Sequence, residues 1–335
     1  MLAWTGDVLY GCRRYQIVLR KVGKARAWTD VARFRPAGWR NLTARVALTG
    51  RLVRDGFHAL VILDDKTMVG AVPGALVTRT PDRDEFQISH QMRRGTRPLH
   101  ITATPAGDIY FGEYFDNRER AEVHIYVSTD RGLTWQVAYT FPAGSIRHVH
   151  NMVYDRWGDC LWILTGDEGG ECKVLRASCD LRSVEVVISG NQQARAVAAV
   201  PTEKALYLST DTPLEKNHVY RLDRAGKVER VGDLASSSIY GCRVGETIFF
   251  STMIEPSAVN IGREVHLVGS RVGSGNGTNW QVLARWKKDI LPMRYFQYGN
   301  AFLPDGENAT NFLAATTIAV EREDLVTTLW EVESA

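Results

Sequence analysis

Short apolar runs recurring at a blade-sized interval constrain this chain more than any other feature. Aligned on the first large apolar residue of its second run, each central unit brings Ile109, Leu161, Leu206 and Ile248 into register, 52, 45 and 42 residues apart. Runs such as GDIYFGEY, EVHIYVS, GDCLWILTGD and ETIFFSTM alternate with Gly, Asp, Asn and Pro turns, the pattern of strands joined by hairpins. Helical periodicity is nearly absent. A repeat of this length has room for four strands, the size of a propeller blade.

Seven such units fit the chain, at about 1–40, 52–92, 96–142, 145–189, 192–234, 237–288 and 294–335. The expectation is therefore an all-β, seven-bladed β-propeller of four-stranded blades, forming a single domain over residues 1–335. The first unit offers strands near VLYG, YQIVLRK and WTDVARF but no innermost one, and the last lacks an outermost one. Pairing of the two chain ends would close the ring and remove exposed sheet edges.

Composition narrows the partners. The 41 Lys and Arg against 38 Asp and Glu leave a net charge of +3, and no Lys/Arg run exceeds two residues, so no nucleic-acid footprint is expected. No apolar stretch approaches the length of a membrane-spanning helix. The N-terminal MLAWTGDVLYGCRRYQ does not read as a signal peptide. Cys12, Cys160, Cys172, Cys179 and Cys242 form an odd, scattered set without CxxC spacing. Reduced thiols and a cytoplasmic location are the expectation. Phosphate-loop, dinucleotide, zincin and nucleophile-elbow motifs are missing from the sequence.

One motif is sharp. Ser128-Thr129-Asp130-Arg131-Gly132-Leu133-Thr134-Trp135 fits S-x-D-x-G-x-T-W, and Ser274-Gly275-Asn276-Gly277-Thr278-Asn279-Trp280 is a degenerate copy. In a hairpin between outer strands, Asp130 can accept from turn amides. Gly132 tolerates a positive φ there, and Trp135 buries its ring between blades. This stretch resembles the Asp-box (BNR-repeat) propellers of the sialidase superfamily and of several polysaccharide lyases. Phe34-Arg35-Pro36 echoes part of a sialidase motif. Seven-bladed polysaccharide lyase and rhamnosidase propellers are the nearer architectural resemblance. They imply a site of His, Tyr and Arg side chains at one mouth of the channel.

The polar residues suit that expectation. In a propeller, the start of each first strand and the end of each second strand share one mouth. His58, His100 and His150 stand seven or eight residues before the turns of the second, third and fourth units. His148 shares a strand face with His150. Arg195 and Tyr240 hold the corresponding places in the fifth and sixth. Glu113, Asp167, Asp211 and Glu255 follow the second runs of four successive units, and Arg97 and Arg147 precede the His-bearing strands.

This set suggests chemistry on an acidic oligosaccharide or polysaccharide. Abstracting a proton beside a uronate carboxyl needs a base and positive charge to stabilise the enolate-like transition state. His150, His148, His100 or Tyr240 would act on the proton, while Arg97, Arg147 and Arg195, with His58, Asp211 and Glu255, would hold the substrate. Hydrolysis would instead use a carboxylate pair such as Glu113 and Asp167, about 5–9 Å apart. His148-x-His150 and His100 could also gather imidazoles around a divalent cation. The rival expectation is a non-catalytic propeller that binds a glycan or a protein partner through the same mouth.

Overall fold

The computed structural model describes residues 1–24, 27–273 and 277–333. They form seven sheets in a ring, a seven-bladed β-propeller. The fourth blade sets the pattern. From the axis outward it runs His148–Asp155, Cys160–Gly166, Lys173–Ser178 and Val184–Ser189, each antiparallel to the next. Ile109, Leu161, Leu206 and Ile248, the residues aligned by sequence, are all fully buried in their second strands. Alternation turns such a residue toward a neighbouring blade, because propeller sheets are covered on both faces.

Seven apolar clusters hold the ring together, one at each blade interface. Tyr110 of the third blade packs with Val149, Leu161 and Ile163 of the fourth. Leu2, Trp4 and Leu9 of the first blade pack with Ala314 of the last. Burial at every interface, the final one included, supplies the main driving force for closure.

Closure differs from the expected exchange of missing strands. The first blade owns an innermost strand, Leu2–Gly6, which lies ahead of the runs identified by sequence. The last blade keeps three strands, Asn300–Phe302, Phe312–Ile318 and Thr327–Glu331. Its inner strand leaves the ladder after Phe302, just before Pro304, which has no amide hydrogen to donate. The chain then forms Asp305–Asn308, which pairs in parallel with Leu2–Gly6 and makes the first sheet five-stranded. Gly306 sits at φ +87°, and a Cβ there would meet the Trp4 carbonyl oxygen at 2.3 Å. Gly306→Ala should therefore cost about 2 kcal/mol or more, read as a lower midpoint in urea unfolding.

Between the first and second blades the chain also forms two short helices, Arg40–Thr43 and Ala47–Leu52. Arg51 anchors this segment to the far side of the closure. Its guanidinium bonds Asp289 at 2.8 Å, Asp324 at 3.2 Å and the Phe296 carbonyl at 2.8 Å.

The Ser128–Trp135 hairpin takes the shape its residues require. Asp130 accepts from the amides of Leu133 and Thr134 and from the hydroxyls of Ser128 and Thr134. Gly132 has φ +85°, and the Trp135 ring packs edge-on against Phe111. The second copy of this motif lies partly outside the described residues, at 274–276.

Candidate functional site at the channel mouth

Each inner strand of the fourth, fifth and sixth blades carries a β-bulge near its start, at His150, Val197 and Ile239. A bulge adds one unpaired residue and re-aims its neighbours. Counted from it, Arg195 takes the place of His148, and Tyr240 that of Asn151. This corrects the equivalence of Arg195 and Tyr240 with the predicted His150 position. The shifted register puts Arg195 beside the histidine pair of the preceding blade.

Asp167 is the hub of what results. Its Oδ1 lies 3.2 Å from His150 Nε2 and 3.1 Å from an Arg195 nitrogen. Its Oδ2 lies 3.4 Å from His148 Nε2 and 3.1 Å from an Arg147 nitrogen. Bonds from the two imidazoles hold this carboxyl far below the usual carboxylate range, against the upward pull of burial. The two Nε2 atoms are 3.1 Å apart. Arg147 is steadied from behind by Asp116 at 2.7 Å.

Arg195 also reaches Asp211, 3.7 Å away. Burial pushes the Asp211 carboxyl up to about 7, with Glu255 and Asp167 adding to the rise and Arg195 opposing it. Two carboxylates on one guanidinium thus have acidities driven in opposite directions. Oδ1 of Asp211 is buried without a hydrogen-bond partner among the described residues. Glu255 lies within electrostatic reach of Asp211, and its like charge raises that carboxyl further.

Tyr114 joins the cluster and was not among the predicted residues. Its ring lies 4.2 Å from that of His148 and 6.3 Å from that of His150. Burial, then Asp167 and Asp211, push its phenol up to about 12, so it stays protonated. Arg97 stands nearby, within electrostatic reach of Tyr114 and Tyr240. Burial and the neighbouring Arg54 lower it to about 10, and it has no hydrogen bond or ion pair among the described residues.

Other predicted residues go elsewhere. Glu113 accepts from the Arg94 guanidinium and from the His124 amide, 2.8 Å away. It therefore forms no carboxylate pair with Asp167. The four acids do not recur at one position. Glu113, Asp167, Asp211 and Glu255 stand four, six, five and seven residues after the buried Ile109, Leu161, Leu206 and Ile248. The position of Asp211 is filled in the third blade by Tyr114. Glu113, one residue earlier, falls on the opposite face.

The histidines do not converge either. His58 Nε2 contacts the Arg54 carbonyl at 2.9 Å, and burial with Arg97 nearby keeps its imidazole neutral. His100 reaches across the axis, 3.6 Å from Asp305 and with its ring 6.0 Å from that of Tyr240. Tyr240 is raised by burial and packs on Phe302. His100, Tyr240 and Asp305 therefore form a separate group, and among the described residues only His148 and His150 share a carboxylate.

The fold and mouth define a seven-bladed propeller whose channel opening carries a charged His–Asp–Arg network. No protein-family pattern matches the chain, and no curated protein does. Solved structures do resemble it. A chain of Kuenenia stuttgartiensis hydrazine synthase aligns at 12% identity, TM-score 0.58, over 99% of this chain and 94% of its own. The β-propeller domain of Myceliophteria thermophila Cps50 (Swd1) aligns at 11% identity, TM-score 0.58, over 99% and 96%. A chain of the mitotic checkpoint complex aligns at 10% identity, TM-score 0.60, over 100% and 89%. At such identities the likeness is one of fold alone. Among the described residues, no helix is long and apolar enough to cross a membrane.

Proposed function

We propose that the mouth binds an acidic oligosaccharide or polysaccharide and cleaves it by β-elimination. The supporting observation is the pair of carboxyls on Arg195: Asp167, held ionised by surrounding cations, and Asp211, raised to about 7. Paired groups whose environments separate their acidities divide electrostatic from proton-transfer work. Asp211 is the proton-exchanging group, because a general base serves best near the working pH. Arg97, with no carboxylate of its own, receives the uronate carboxylate, and Arg195 assists.

In this reading Asp211 takes the proton from the carbon beside the carboxyl. That electron pair forms a carbon–carbon double bond as the glycosidic bond on the next carbon breaks. The leaving oxygen takes a proton from the Tyr114 phenol. Elimination is favoured over hydrolysis by the predicted Glu113–Asp167 pair because Glu113 is bound to Arg94 and Asp167 is surrounded by cations. The Asp-box resemblance of Ser128–Trp135 supports a carbohydrate substrate without assigning it.

A screen of uronate-containing polysaccharides should find one whose digestion releases an ultraviolet-absorbing unsaturated product. Arg97→Ala should retain fold and raise KM at least tenfold for that substrate, the loss of about one charge-assisted contact. Binding without any unsaturated product would favour a glycan-binding role. A screen in which no polysaccharide is bound or cleaved would refute the carbohydrate reading.

A further inference from the structure

We infer that His148, His150 and Asp167 form a binding site for a divalent transition metal of the zinc type. The site shares the mouth with the elimination reading but stands on its own geometry. His148 Nδ1 lies 3.1 Å from the Phe115 carbonyl oxygen, and His150 Nδ1 lies 3.1 Å from that of Ala196. A carbonyl oxygen only accepts, so each Nδ1 carries the hydrogen. Each Nε2 therefore either donates its proton toward Asp167 or, once a metal displaces that proton, presents a lone pair to it.

Those nitrogens face each other across 3.1 Å, and Asp167 oxygens across 3.2 and 3.4 Å. These nitrogen and oxygen atoms cannot all be neighbours without positive charge, of protons or of a metal, among them. A metal supplies it directly. Ligand bonds of 2.0–2.1 Å around a tetrahedral zinc separate neighbouring ligand atoms by about 3.3 Å, close to the distance between the two Nε2 atoms and to that from each Nε2 to the Asp167 oxygen it faces.

The surroundings also fit. Metal-bound histidines usually donate their other nitrogen to a carbonyl, which fixes ring and tautomer. Both do so here. Arg147 and Arg195 bond different oxygens of Asp167, which leaves each oxygen a lone pair for the cation. They weaken the attraction for a cation while holding the carboxylate ionised and oriented. Among the described residues this is the one group of three His, Cys, Asp or Glu ligand atoms that lie within 4.8 Å of one another. Three protein ligands leave a fourth position, as in catalytic zinc sites.

Chelator-stripped protein should take up Zn2+ stoichiometrically, and Co2+ should give the visible d–d bands of a four-coordinate nitrogen–oxygen site. His148→Gln and His150→Gln should abolish that uptake while circular dichroism stays native. His124→Gln should keep it, since that imidazole bonds Thr140 instead. Should either variant unfold, the wild-type histidine resonances decide. Zn2+ must shift those of His148 and His150, and shifts confined to other histidines would overturn the proposal. So would uptake that survives both substitutions, or none in folded wild type. Uptake without cleavage of any polysaccharide would sink only the elimination reading. Cleavage by protein that takes up no Zn2+ would sink only the metal site.

Discussion

Asp167→Ala should destabilise the protein by about 3–5 kcal/mol at neutral pH, the usual result of removing one partner from a buried ion network. Arg147 would keep Asp116, but Arg195 would retain only Asp211 at 3.7 Å, and its Nε is already without a partner. The sign with pH follows from the depressed acidity of Asp167. A carboxyl whose folded pKa is lowered contributes stability above its unfolded pKa, near 3.9, and loses it as pH falls further. The wild-type advantage should therefore be full at pH 7 and shrink below about pH 4. Denaturant melts of both proteins across that range test this. A constant, small difference would mean that Asp167 is not the hub of the network. Asp167→Asn, which keeps the shape but not the charge, should fall between the two.

Strand recurrence made the ring legible because burial repeats. Ile109, Leu161, Leu206 and Ile248 must each fill an interface, so the sequence marks them with large apolar side chains. His148 and His150 were legible for a related reason: alternation puts them on one face next to a strand-end acid. Glu113 shows where such reasoning fails. A shift of one residue changes the face, and single-sequence spacing does not resolve one residue at a strand end. Tyr114 carries the same lesson in reverse, since it stands beside Glu113 and faces the mouth. The pairing of His100 with Tyr240 and Asp305 depends on which blades oppose one another across the axis. Only the closed ring reveals that, because the contacts join the third blade to the sixth and seventh. The bulges at His150, Val197 and Ile239 had no compositional signal, yet they decide that Arg195 meets Asp167.

Asp211→Asn should abolish cleavage while making the protein more stable at pH 8, a combination that a merely structural acid would not give. Asp211 is raised to about 7 by burial, with Glu255 and Asp167 adding to the rise, Arg195 opposing, and the Ser237 hydroxyl bonding the charged form. A carboxyl whose folded pKa exceeds its unfolded value binds protons more tightly in the native state. Its contribution is complete below about pH 4 and is lost as pH climbs through 7. A shift of that size corresponds to about 4 kcal/mol for this group alone. The neutral amide removes that loss. The variant's stability should consequently decline less than the wild type's between pH 4 and 8, and it should melt higher at pH 8. Stability sacrificed to keep a titratable group buried is what a site of proton transfer requires. A variant that is less stable at pH 8, or that cleaves at the wild-type rate, would return Asp211 to a structural role in the loop.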